Sequence, residues 1–130
     1  REGVKWLPDR GLDVFFVTLN KADKDYSPTT MYNDYSVSES LFHWQSQSTT
    51  AKDSPTGQRY IHHRECGSRV LLFVREFKTD RITNGAEAYT YLGMASYVKH
   101  EGSRPMNITW KLDRPIPAKF LKKTNKLVVG

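Results

Sequence analysis

Apart from a short tail from Ala118 to Lys126, no stretch of ten or more residues in this chain sets its apolar side chains at helical spacing. Strands must therefore carry the fold. Seven segments rich in β-branched and aromatic residues, each bounded by Gly, Pro, Asn, Asp or Ser, are predicted as strands: Leu12–Leu19, Ser40–Gln47, Gln58–His63, Arg69–Lys78, Ala88–Leu92, Ala95–Lys99 and Met106–Leu112. With this many short strands and little helix, the expected class is mainly β. A closed or nearly closed barrel follows, because closure removes the exposed edges that would otherwise aggregate.

A length of 130 residues suits one domain over 1–130, since two halves would be too small to bury good cores. The hydrophobic fraction of 38% is low, but 12% aromatic residues, with Trp6, Trp44 and Trp110 spread along the chain, can fill a compact core. Twenty Lys and Arg against fourteen Asp and Glu give a net charge of +6. Such a charge favours polyanions without separating DNA, RNA and anionic membrane, and it is equally the mark of a solvated surface. There is no apolar run of about 18 residues and no signal peptide, so a cytoplasmic location is expected. The start at Arg1 without an initiator methionine and the stop at Leu127–Gly130 are expected to be cuts from a longer protein. Cys66 is the only cysteine, which excludes an internal disulfide and a cysteine-cluster zinc site.

Asn20–Ser38 and Ser48–Gly57 are the two long connections. A loop this long inside a small domain signals either a misread element or a functional loop. The first holds Tyr26, Tyr32 and Tyr35 among Ser27, Thr29, Thr30, Asn33 and Asp34, a composition unlike a flexible linker, and is expected to be ordered at least with ligand bound. In the strand that follows, Phe42, Trp44 and Ser46 share one face while His43, Gln45 and Gln47 share the other. The two Gln amides can read a base edge or bridge phosphates, and aromatics beside a carboxylate can pocket a flipped base. Equally, Phe42 and Trp44 can be core, with the two Gln side chains in solvent.

Lys99 and the turn His100–Pro105 form a basic cluster in which Ser103, Arg104 and the backbone amides can hold a phosphate, or which can be an ordinary exposed hairpin. Ser54–Arg59, with Arg59 at its end, carries the same two readings. Catalytic readings are poorer. His62 and His63 would face opposite sides of a strand, and the four histidines show no standard metal-ligand spacing. Asp53 followed by Glu76–Phe77–Lys78 resembles the acid and Glu-x-Lys pattern of magnesium nucleases, but three residues match often by chance. No metal or cofactor is expected.

Five blocks, taken in order, resemble one family: Tyr26–Tyr35, Leu41–Gln47, Ser54–Tyr60, Leu71–Glu76 and Glu101–Met106. They are similar to the domain of uncharacterised function found behind superfamily 2 helicase motors, often with a phospholipase-D-like nuclease at the front of the same chain, as in SauUSI-type restriction enzymes. Those are ATP-dependent, bacterial type IV systems that cut DNA carrying 5-methylcytosine or 5-hydroxymethylcytosine. The resemblance, running from about Leu12 to Leu121, implies a small PUA/SRA-like β-barrel of about seven strands that reads the modified base.

In SRA domains a loop aromatic and aspartate, followed by a strand of the form Phe-x-aromatic-polar, sandwich a flipped methylcytosine. The resemblance therefore assigns Tyr32 or Tyr35 and Asp34 to the loop roles and Phe42, Trp44 and Gln45 to the strand. Trp44 stands where a tyrosine is usual. Gln47, Ser27, Thr29, Thr30, Arg59, Lys99, Ser103 and Arg104 are expected to contact DNA backbone or bases. The expected function is recognition of double-stranded DNA with a modified cytosine, with ATP hydrolysis and cleavage in partner domains of the same parent chain. A phosphorothioate-DNA reader, an RNA-binding PUA-like module and a small magnesium nuclease are the alternatives.

Overall fold

The computed structural model describes residues 3–20, 34–79 and 82–121. Within them the chain runs β1 (Val4–Leu7), β2 (Leu12–Asn20), β3 (Tyr35–Ser36), β4 (Leu41–Gln45), α1 (Pro55–Ile61), β5 (Arg69–Phe77), β6 (Thr90–Glu101) and β7 (Asn107–Leu112). Residues 118–121 are helical. All seven strands form one sheet in the order β1-β2-β5-β6-β7-β4-β3. Only β2 and β5 pair in parallel, and the long crossover that a parallel pair requires contains β3, β4 and α1.

The period-2 pattern turns one face of this sheet inward. Phe15, Val17 and Leu19 on β2, Val70, Leu72 and Val74 on β5, Ile108, Trp110 and Leu112 on β7, and Phe42 and Trp44 on β4 are all buried. Three strands separate β2 from β4 in the sheet, yet Phe15 stacks on Trp44 with ring centroids 4.1 Å apart. The sheet is thus curled until its halves meet. Tyr60 of α1 is fully buried and stands edge-on to Phe15, Trp44 and Trp110, so the helix seals the interior with a single aromatic plug. The fold is mainly β and barrel-like, with β1 and β3 at the two ends of the strand order.

Three predicted elements are corrected. Gln58–His63 is not a strand: Pro55–Ile61 is helical, Ser54 caps it by accepting from the Gly57 N–H, and Pro55 sits at its first turn. Ser-Pro is a helix-start signal, but a seven-residue helix is too short to show periodicity. Gly57 is required because a Cβ there would lie 2.3 Å from the Ala51 carbonyl oxygen. Ala88–Leu92 and Ala95–Lys99 belong to one strand, β6, which begins at Thr90. Gly93, read as a break, is instead the site of a register shift against β5, at φ 117°. β1 and the two-residue β3 were not predicted; neither is long enough to show alternation.

His63 follows α1 and is buried. Its Nε2 accepts from the Tyr97 N–H at 3.1 Å, which leaves the proton on Nδ1 to donate to the Ser68 carbonyl at 3.2 Å. Burial pushes its pKa below the ordinary value of 6.5, so the ring is neutral in the fold. The unfolded chain takes up this proton as pH falls through about 6.5, whereas the folded chain does so only lower. Stability therefore declines with falling pH from about 6.5 down to the folded pKa. Urea midpoints measured from pH 8 to 5 should fall more steeply for the wild type than for His63→Gln. Parallel curves would refute this account.

Candidate functional site

The end of β4 is fastened before it can serve as a wall. Asp34, buried, accepts the Gln45 N–H at Oδ1 (2.8 Å), and Ser46 exchanges backbone and hydroxyl hydrogen bonds with Met106 at the head of β7. Beside this fastened end lies a cavity of about 340 Å³, within the size range of small-molecule sites. Asp34, Trp44, Gln45 and Gln47 line one side of it. Across from them stand Phe16 and Thr18 of β2, Arg75 of β5, and Lys78 and Tyr89.

The cationic side of this cavity is held in place. Arg75 donates through Nε to Thr18 Oγ1 at 2.9 Å and through its terminal nitrogen to the Glu87 carbonyl at 3.2 Å, with its guanidinium 4.4 Å from the Tyr89 ring centroid. Phe16 and Tyr89 contact each other edge-on at 5.2 Å and are each 36% exposed. They are partly exposed rings in the cavity lining. Sequence reasoning did not single out Arg75, Tyr89 or Phe16, although Phe73 and Arg75 already shared one face of a predicted strand.

A second cavity, of about 330 Å³, lies on the outer face of β3, β4, β7 and β6 and is lined by Tyr35, His43, Lys99, His100, Asn107 and Thr109 among others. Tyr35 stacks on His43 with centroids 4.6 Å apart. Gln45 is the link between the two cavities: its Nε2 donates to Asn107 Oδ1 at 3.1 Å.

The predicted base-pocket residues thus divide. Asp34, Trp44 and Gln45 meet at the first cavity, joined by Gln47, whereas Tyr35 turns to the second, where it meets Lys99. Phe42 is fully buried in the core and contributes no surface. Trp44 is 4% exposed, with one face on Phe15, so it forms wall and not platform. Arg59 does not reach outward. Its Nε and a terminal nitrogen donate to the two oxygens of buried Asp13 at 2.8 and 2.9 Å, while its guanidinium lies 4.0 Å from the centroid of Trp6. Burial lowers the Arg59 pKa, but the hydrogen bonds and charge of Asp13 outweigh it and leave the pKa above its ordinary value.

Ser103 and Arg104 are exposed, but their turn is docked, not free: Ser103 Oγ accepts the Lys52 N–H at 3.0 Å and the Arg104 N–H donates to the Thr50 carbonyl at 2.9 Å. Tyr32, Ser27, Thr29 and Thr30 lie outside the described residues, as does most of the Asn20–Ser38 connection. Among the described residues no group of three or more His, Cys, Asp or Glu side chains is placed to hold a metal ion, and no helix is long and apolar enough to cross a membrane.

No curated protein matches this chain. The family described as "Domain of unknown function (DUF3427)" matches over residues 2–123, nearly the whole of the sequence and of the curled sheet built from it, and the chain belongs to that family.

Proposed function

We propose that this chain is a recognition domain for double-stranded DNA bearing 5-methylcytosine or 5-hydroxymethylcytosine. It would be an SRA/PUA-like barrel that does not itself cut DNA and serves the helicase and nuclease parts of an ATP-dependent type IV restriction enzyme. The observation that carries this reading is the first cavity, where the segment singled out for base recognition meets two partly exposed rings and two cations. An extruded base entering there would lie against Phe16 and Tyr89, with Trp44 as a rigid wall. Because Gln45 gives its NH2 to Asn107, its carbonyl oxygen is the group it offers, an acceptor suited to the cytosine N4 amino group. Arg75 and Lys78 supply positive charge for the flanking phosphates, which position the strand without carrying sequence information.

Titration with four duplexes differing at one cytosine, unmodified, 5-methyl, 5-hydroxymethyl and phosphorothioate-flanked, tests the reading. RNA and magnesium-dependent cleavage are measured alongside. Tighter binding of the methyl or hydroxymethyl duplex without cleavage is expected. Six phosphate contacts would give a log–log salt slope of about −5. Gln45→Leu should weaken binding of the cytosine-bearing duplexes, modified and unmodified alike, by about 1–3 kcal/mol, the cost of leaving a buried amino group unpaired. Equal affinity for all four duplexes would end this reading, and preference for phosphorothioate or RNA, or cleavage by the chain alone, would replace it.

A further inference from the structure

We infer that the second cavity is a separate binding site for a phosphate group of the nucleic-acid strand, distinct from the site that takes the base. Strand register builds it. Tyr35 lies opposite His43, His43 opposite Thr109, and Thr109 opposite Lys99, so four side chains form one row across β3, β4, β7 and β6. Asn107 sits in the adjoining row, between Gln45 and Glu101.

The hydrogen-bonding inventory of this cavity is dominated by donors. The Asn107 carbonyl oxygen is already occupied by Gln45 Nε2, which leaves the Asn107 NH2 to donate. His100 Nδ1 is engaged with the Tyr97 hydroxyl at 2.7 Å, which leaves Nε2 as its other polar atom. The Lys99 ammonium and the Thr109 hydroxyl add donors from the same face, against one carboxylate, exposed Glu101 at the end of β6. A concave site with an ammonium, an amide NH2 and a hydroxyl matches an oxyanion. Gln45 lines the first cavity and Asn107 the second, and the hydrogen bond between them ties the two linings together.

This inference rests on the DNA reading for the source of the phosphate but not for the site, and the test separates the two. Unmodified duplex is titrated at several salt concentrations into wild type, Lys99→Ala and Asn107→Asp. In parallel, the His100 imidazole signals are followed by NMR as inorganic phosphate is added. Lys99→Ala is expected to make the salt slope shallower by about 1 and to weaken modified and unmodified duplexes equally. Asn107→Asp, which puts a carboxylate beside the anion, should weaken binding further. A wild-type salt slope in Lys99→Ala, with full affinity, overturns the site while wild-type preference for modified DNA leaves the base reading intact. If the wild type binds no duplex, the DNA reading fails and phosphate decides. His100 shifts that vanish in Lys99→Ala then assign the site to a free phosphate, and their absence overturns it.

Discussion

Arg59→Ala is expected to cost about 3–5 kcal/mol of folding stability, because it leaves a carboxylate buried without its counter-charge. Asp13 has no exposed surface, and both of its oxygens are held by the Arg59 guanidinium. The same guanidinium covers Trp6, so one side chain fastens α1 to β2 and to β1. Asp13→Leu combined with Arg59→Met should recover most of the loss, since an apolar replacement of both partners removes the uncompensated charge. Urea denaturation of the single and double variants checks this, and a loss below about 1 kcal/mol in Arg59→Ala would contradict it. Measured where the variant remains folded, the salt slope for DNA should match that of the wild type, because this guanidinium is committed to Asp13 and not to phosphate.

Trp44→Ala is expected to remove about 3–5 kcal/mol of stability and to depress binding of every duplex alike. The ring is sandwiched into the centre of the fold, face-on to Phe15 and edge-on to Tyr60 and Trp110. Truncating it would open a cavity that α1 and β7 cannot collapse to fill. Tyr89→Ala, at a partly exposed ring, should instead leave stability nearly unchanged and remove about 1–3 kcal/mol of affinity, the usual worth of a base–aromatic stack. Thermal unfolding and the modified-to-unmodified affinity ratio, measured on both variants, distinguish wall from platform. A stable Trp44→Ala protein with a collapsed ratio would return the stacking role to Trp44.

The pattern of alternation was enough to place β2, β4, β5 and β7 and to put Phe42 and Trp44 on one face, although the resemblance gave both to the base pocket and the structure buries them, because a strand with one buried face writes its period directly into the residues. Strands of two and four residues and a seven-residue helix, about two turns, left no such record, and so β3, β1 and α1 were missed or misread. The destination of a polar side chain was still less legible. Nothing in the local sequence distinguishes an Arg59 that pairs with Asp13, 46 residues away, from one that reaches for DNA. Likewise, Tyr35 and Lys99 share a cavity only because β3, β4, β7 and β6 lie side by side, and Gln45 and Asn107 meet 62 residues apart. Sequence determined which residues must be buried, since burial depends on periodic hydrophobicity. The curl of the sheet alone decided which charges are cancelled inside it and which remain outside for a ligand, since that depends on partners brought together from distant strands.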